Sequence, residues 1–142
     1  EGQFVLDCST ALAWCFPDEK AKYPQAVLDS LDAAQAIVPT IWPLEIANTL
    51  LEGERRQRST QVDTTAWLAL LGALGIIIDD QTSGRAWTDT LTLARTHKLS
   101  SYDAAYLELA VRLHAPLATL DGKLKGATAK VGVALYAPAG RA

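Results

Sequence analysis

The sequence has 142 residues, a length typical of one domain with a buried core, and we expect a single domain over residues 1–142. Hydrophobic residues make up 49% and charged residues 20%, a globular composition that excludes a disordered chain. The net charge of −3 argues against a protein that coats nucleic acid by releasing counterions, but it is compatible with an enzyme whose acidic residues bind metal.

Cysteine spacing and hydropathy bear on the cellular compartment of the protein. The longest apolar run, residues 66–78, has 13 residues and is interrupted by Gly72 and Gly75, whereas a membrane-spanning helix needs roughly 18. Cys8 and Cys15 are seven positions apart, which fits neither a CxxC redox pair nor a zinc site. With no signal peptide visible, we expect reduced thiols in a cytoplasmic protein that does not enter a membrane.

Short apolar runs alternate with helical periodicity along the chain. The elements predicted in the first half are a strand over 4–6, a helix from Ser9 or Thr10 to Phe16 ended by Pro17, a helix over 24–34, a strand over 36–38 and a helix over 43–58. Those of the second half are a helix over 62–74, a buried strand over 76–78, helices over 83–97 and from Ser100 or Ser101 to Leu113, and strands over 116–120 and 131–136. The buried stripe of the long helix is assigned to Leu44, Ala47, Leu50 and Leu51.

This alternation of strands and helices predicts an α/β fold, a three-layer α/β/α sandwich with a mainly parallel central sheet. In such sheets, ligands bind at the carboxyl ends of the strands. Asp7 and Asp121 each follow a predicted strand directly, while Glu45 and Asp103 lie in the first turns of predicted helices. Each acid has an ordinary explanation by itself, as a turn residue or as a partner of the helix dipole.

As a set, these four acids predict a metal site. If the sheet is parallel, they meet at one edge, where carboxylates repel one another and raise each other's pKa. Bringing four carboxylates together does not stabilise a fold by itself. A hard divalent cation, Mg²⁺ or Mn²⁺, prefers oxygen ligands and relieves the repulsion. A metal held in this way can activate water and neutralise charge on a phosphodiester.

Four sequence blocks carry a family resemblance. Residues 4–9 (FVLDCS), 43–48 (PLEIAN), 102–106 (YDAAY) and 117–121 (LATLD) occur in the same order as the four motifs of PIN domains. The chain resembles, in particular, the VapC toxins of bacterial toxin–antitoxin pairs, and the likeness spans nearly its whole length.

The resemblance implies a magnesium-dependent endoribonuclease that cuts single-stranded or looped RNA with an attacking water, leaving a 5′-phosphate and a 3′-hydroxyl. Matched by position, the acidic roles fall to Asp7, Glu45, Asp103 and Asp121, with Ser9, Asn48 and Thr119 in supporting roles. The resemblance also implies a VapB-like antitoxin that covers the site, and a homodimer. Lys123 and Lys125 closely follow the last acid and are candidate phosphate contacts.

Other assignments compete with this one. A haloacid-dehalogenase-like phosphatase needs a second Asp two residues after its nucleophile, where this chain has Ser9, and a receiver domain needs an acidic pair at Asp7. A catalytically idle PIN-like binding module is the non-enzymatic alternative. Asp79 and Asp80 also follow a predicted strand and are assigned to a turn. Arg55, Arg56 and Arg58 are assigned to a solvated helix end rather than to RNA contact.

Overall fold

A computed structural model describes residues 2–16 and 22–138 of the chain. At its centre lies a sheet of four parallel strands in the order β3-β2-β1-β4. The strands are β1 (Gly2–Leu6), β2 (Ala34–Val38), β3 (Ile77–Ile78) and β4 (Leu117–Ala118). Helices connect the strands and cover the sheet, so the predicted α/β class and parallel three-layer sandwich are confirmed.

The connecting segments are helical. The helices are α1 (Cys8–Cys15), α2 (Lys22–Ser30), α3 (Trp42–Arg55), α4 (Gln61–Gly72), α5 (Thr82–Arg85), α6 (Leu91–His97), α7 (Ser101–Leu113) and α8 (Gly122–Val131). A π-helical turn, Ala86–Thr90, joins α5 to α6, so the helix predicted over 83–97 is present with a local change of winding. Within the described residues, no helix is long and apolar enough to cross a bilayer.

Strand β1 lies inside the sheet, and its last three residues are buried. Phe4, Val5 and Leu6 are fully buried, as expected for a parallel strand covered on both faces. Val5 pairs with Ile37 of β2 on one side and with Leu117 of β4 on the other. The chain adds β2 and β3 on one side of β1 and then returns to place β4 on the other. The topological switch point, where such sheets bind ligands, therefore lies between the ends of β1 and β4.

The predicted boundaries of the first two helices were inaccurate. Helix α1 begins at Cys8, with Asp7 in extended conformation before it, so Ser9 and Thr10 lie inside the helix and do not cap it. The predicted stop at Pro17 lies outside the described residues. Helix α2 ends at Ser30 rather than near Ala34, because β2 already begins at Ala34.

The buried stripe predicted for α3 was wrong except at Leu50. Leu44 is 74% exposed and Leu51 40% exposed, and Ala47 is also on the exposed side. The residues that face the core are Trp42, Ile46, Leu50 and Gly53. This set also follows helical spacing, so the period was right and the rotation of the helix about its axis was wrong.

Two further strand predictions were wrong in part. Strand β3 is at the edge of the sheet, and its residues Ile77 and Ile78 are 39% and 51% exposed rather than buried. Residues 131–136 do not form a strand, since α8 continues to Val131 and only an isolated bridge joins Leu135 to Leu117. Tyr136 then stacks on Phe4 with ring centroids 3.9 Å apart, so this segment covers the core without extending the sheet.

Candidate active site

Asp7 lies at the carboxyl end of β1, where it is 4% exposed. Its Oδ2 accepts hydrogen bonds from the hydroxyls of Ser9 (2.7 Å) and Thr119 (2.6 Å). Burial raises the pKa of Asp7 above its ordinary value, while these two hydrogen bonds act in the opposite direction. The carboxylate is thus held in one orientation by the two hydroxyl residues that the sequence motifs indicated.

The same hydroxyls tie the ends of β1 and β4 together. Thr119 Oγ1 donates to Asp7 and accepts from the backbone N–H of Asp121 at 3.0 Å. Ser9 Oγ donates to Asp7 and accepts from the backbone N–H of Leu120 at 3.0 Å. The segment that carries Asp121 is therefore positioned through the residues that hold Asp7.

Glu45 occupies the first turn of α3 and is half-buried. The hydroxyl of Tyr106, a fully buried residue of α7, donates a short hydrogen bond to Glu45 Oε1. The Cys8 thiol also hydrogen-bonds Glu45. The pKa of Glu45 is raised, first by burial and then by the negative charges of Asp7 and Asp103.

Tyr106 and Cys8 are the residues of this site to which the sequence assigned no role. Both lie inside the quoted motifs, Tyr106 one helical turn after Asp103 and Cys8 directly after Asp7. That spacing is the signal that could have indicated Tyr106, because residues three apart share a helix face. Burial and the neighbouring acids raise the pKa of both groups, so thiol and phenol stay protonated and can donate hydrogen bonds.

Asp103 and Asp121 come from the first turn of α7 and the N-cap of α8. The backbone N–H of Asp103 is capped by the Ser100 side chain at 3.0 Å. Asp121 Oδ2 accepts from the backbone N–H of Leu124 at 3.0 Å, so Asp121 is a helix N-cap. The pKa of Asp103 is raised by burial and then by the charges of Asp121 and Asp7, while Lys123 lowers it.

These four residues, hereafter the acid cluster (Asp7, Glu45, Asp103 and Asp121), come together at the switch point of the sheet. The charge of Asp121 acts on Asp7 and Asp103, and the charge of Asp7 acts on Glu45 and Asp103. Within residues 2–16 and 22–138, however, no three His, Cys, Asp or Glu side chains already converge as a metal site would. The carboxylates of Asp7, Glu45 and Asp121 instead accept hydrogen bonds from hydroxyl or backbone donors.

The remaining predicted residues lie around the acid cluster. Asn48 is exposed on α3, one turn beyond Glu45. Lys123 is exposed and its charge reaches Asp103, which places it beside the cluster. Lys125 is also exposed but lies two positions further along α8, about 200° around the helix axis from Lys123. Of the two lysines, Lys123 is therefore the one that lies next to the acid cluster.

Asp79, the acid that follows β3, is part of a separate structural network. Arg112 donates to both its oxygens, at 3.0 Å and 2.9 Å, and to Glu108 at 2.7 Å. Hydrogen bonds from Arg112 are the main reason that the pKa of Asp79 is lowered. Asp79 also anchors the turn through the backbone N–H of Gln81 and the hydroxyl of Thr82. It is a neutralised turn residue, unlike the acids of the acid cluster.

No family model matches the chain, and no curated protein matches it.

Proposed function

We propose that this protein is a metal-dependent endoribonuclease that hydrolyses RNA phosphodiester bonds as the toxin of a toxin–antitoxin pair. The observation that carries the proposal is the placement of four acidic side chains at the switch point of a parallel sheet. The resemblance of their motifs to those of PIN domains supplies the reaction and the substrate class.

The donor chemistry of the acid cluster fits Mg²⁺ or Mn²⁺. All four side chains offer carboxylate oxygens, which hard divalent cations prefer, and their mutual repulsion favours a cation between them. Asp7, Glu45, Asp103 and Asp121 would hold the ion. Bound there, a divalent cation supplies an activated water and neutralises charge on the phosphodiester.

Residues around the acid cluster orient its carboxylates and argue against a phosphatase of the haloacid-dehalogenase type. Ser9 and Thr119 fix the Asp7 carboxylate, and Tyr106 fixes that of Glu45. Such supporting hydrogen bonds orient metal-binding carboxylates. Lys123 is placed to receive a substrate phosphate. Because Ser9 is committed to Asp7, the position where a haloacid-dehalogenase-like phosphatase needs its second Asp holds a supporting hydroxyl instead.

We further propose a second copy of this chain and a VapB-like antitoxin as protein partners in the cytoplasm. Helix α4 is strongly apolar, yet Leu71 is its one buried residue, and large apolar side chains on α3 and α4 are exposed. These are Leu44 (74%), Leu51 (40%), Val62 (77%), Leu68 (44%) and Leu70 (40%). Exposed apolar surface of this kind marks protein interaction sites. Light scattering coupled to size exclusion would show the dimer, and a monomer at all concentrations would refute it.

The test of the enzymatic function is cleavage of total RNA with Mg²⁺, run beside an EDTA reaction and an Asp103→Asn variant. Discrete fragments that disappear in both controls are expected. The exposed Asp80→Asn variant is the matched control, since it removes an equal charge outside the acid cluster and should cleave as wild type. Intact RNA at high enzyme with Mg²⁺ and with Mn²⁺ would contradict the proposal and favour an idle binding module. Hydrolysis of a small phosphomonoester in its place would favour another acid-based phosphohydrolase.

A further inference from the structure

A cavity of about 310 Å³ lies at the C-terminal end of α3, away from the acid cluster. We call it the arginine pocket; its lining residues are Phe16, Thr49, Glu52, Gly53, Arg56 and Arg58. Its volume is at the lower end of the range of roughly 300–1,000 Å³ for small-ligand pockets. The residues of the acid cluster do not line it.

The backbone at the end of α3 places Arg58 over an aromatic ring. Gln57 adopts φ 59°, and the backbone N–H of Arg58 returns to the carbonyl of Gly53 at 2.9 Å, which is the hydrogen bond of a Schellman cap. The Arg58 guanidinium carbon then lies 5.2 Å from the centroid of the Phe16 ring. Phe16 is itself braced by Trp67, with ring centroids 4.9 Å apart. The result is a cation that lies over a braced aromatic ring.

The floor of the pocket depends on glycine. A Cβ at Gly53 would lie 3.0 Å from Ser59 Oγ and 3.1 Å from Phe16 Cζ, so a side chain there would press on both. Glycine inside a helix costs about 1 kcal/mol relative to alanine, so α3 gives up some stability for this close approach.

The charge of the pocket is positive. Glu52 pairs with Arg56 at 3.5 Å, a surface pair whose side chains are 46% and 72% exposed. Arg58 adds a positive charge that this pair does not cancel, so the three charged lining residues leave a net charge of +1. Cationic side chains and a guanidinium that lies over an aromatic ring are groups that proteins use to bind single-stranded nucleic acid.

The pocket is aligned with the proposed catalytic site. Thr49, Glu52 and Arg56 follow Glu45 at four, seven and eleven positions, so they extend along one face of α3. At 1.5 Å per residue, Arg56 lies about 17 Å along the helix from Glu45. A stacked strand covers that distance in about five nucleotides at about 3.4 Å each.

We propose that the arginine pocket binds a nucleotide of single-stranded RNA about five positions from the scissile phosphate. The base packs on the Arg58 guanidinium, and Arg56 contacts the phosphate. This rests on the proposed ribonuclease function and adds to it a determinant of substrate length and register.

The test measures binding rather than cleavage. Variants are made in the Asp103→Asn background with Mg²⁺, and the anisotropy of a fluorescein-labelled oligouridylate reports the affinity. Arg58→Ala should weaken binding about tenfold, within the range seen when a stacking platform is removed. Arg58→Lys should lose most of the same affinity, because lysine keeps the charge but not the planar group. Arg55→Ala is the matched control, an adjacent exposed arginine outside the pocket, and should change binding less than about twofold.

If the Arg58→Lys variant and the parent bind the RNA with equal affinity, the proposed nucleotide pocket is overturned, because positive charge alone would then explain binding. Equal losses for Arg55→Ala and Arg58→Ala would overturn it too. An acidic peptide, poly-glutamate, is the second probe. If Arg58→Ala weakens binding of the peptide but not binding of RNA, the pocket is assigned to a protein partner. Circular dichroism melts check that each variant is folded. If wild type cleaves RNA while these variants bind as the parent does, this inference fails and the proposed function stands.

Discussion

Replacing Asp7 by Asn separates a functional acid from a structural one. Asp7 is 4% exposed, and burial and then the charge of Asp121 raise its pKa, so its ionised form is costly in the metal-free protein. Asn is nearly the same size, and its amide oxygen can still accept from Ser9 and Thr119. We therefore expect Asp7→Asn to abolish RNA cleavage while leaving the metal-free fold as stable as wild type or more so.

The size of the effect follows from two opposing contributions. Bonds to a charged group contribute about 1.5–3 kcal/mol and neutral ones about 0.5–1.5 kcal/mol, so weakening two of them costs about 2–3 kcal/mol. Removing a buried charge that has no cationic partner avoids a desolvation penalty of several kcal/mol and so stabilises the folded state. The net change in the free energy of unfolding lies between zero and about +2 kcal/mol. At about 3 °C per kcal/mol for a chain of this size, the melting temperature rises by up to about 6 °C.

The assay is a thermal melt in EDTA, repeated with Mg²⁺, with Asp80→Asn as the exposed control. The control should stay within about 0.5 kcal/mol of wild type in both buffers. Mg²⁺ should stabilise wild type by about 2.7 kcal/mol at a hundred times its dissociation constant and stabilise Asp7→Asn less. Cleavage should fall by at least about 100-fold. A melting temperature more than about 3 °C below wild type in EDTA would mean that Asp7 is a structural residue, and the assignment of the site would be refuted.

Three other outcomes are expected. Thr119→Val removes a donor to Asp7 and should lower cleavage by about 10–100-fold, measured as kcat/KM on a defined RNA, with unchanged activity refuting the role. Arg112→Met leaves Asp79 and Glu108 buried without their cation and should cost about 3–5 kcal/mol by calorimetry, whereas the surface variant Arg85→Ala should cost less than about 1 kcal/mol. The stability of the metal-free protein should rise as the pH falls from neutral toward 3.8 and 4.5, the ordinary pKa values of Asp and Glu. In that range the folded state binds more protons than the unfolded state, because folding raises the pKa values of Asp7, Glu45 and Asp103. Below 3.8 stability should fall as Asp79, whose pKa is lowered, takes up its proton, and a melting temperature flat from neutral pH to 4.5 in EDTA would contradict the repulsion argument.

The positions of Asp7 and Asp121 were predictable because they depend on local signals. An apolar triplet followed by an acid marks the end of a buried strand, and the alternation of strands with helices implies a parallel sheet. Together these two signals place both acids at one edge without any knowledge of distant contacts. The same reasoning predicted the class of fold and the order of nearly all its elements.

Features that depend on packing between distant segments were not predictable in the same way. The Tyr106–Glu45 hydrogen bond joins residues 61 positions apart, and the Arg112–Asp79 pair spans 33 positions. The rotation of α3 about its axis is likewise set by tertiary packing. The observed buried face, which contains Ile46, and the predicted one both satisfy helical periodicity, so the sequence pattern does not distinguish them. Strand β3 was taken as buried because Ile77 and Ile78 are β-branched, but its place at the edge of the sheet leaves them exposed.

The sign of the neighbouring charge distinguishes the two kinds of buried acid in this protein. Asp79 and Asp7 both follow a strand, and both are less than one-tenth exposed. Asp79 faces the guanidinium of Arg112, which lowers its pKa, so it stabilises the fold as an ion pair. Asp7 accepts hydrogen bonds from two hydroxyls, and burial, followed by the charge of Asp121, raises its pKa. Asp79 is thus paired with a cation, whereas Asp7 is buried near other acids, an arrangement that costs stability in the metal-free protein. This contrast is the physical reason for proposing a function for the acid cluster and a structural role for Asp79.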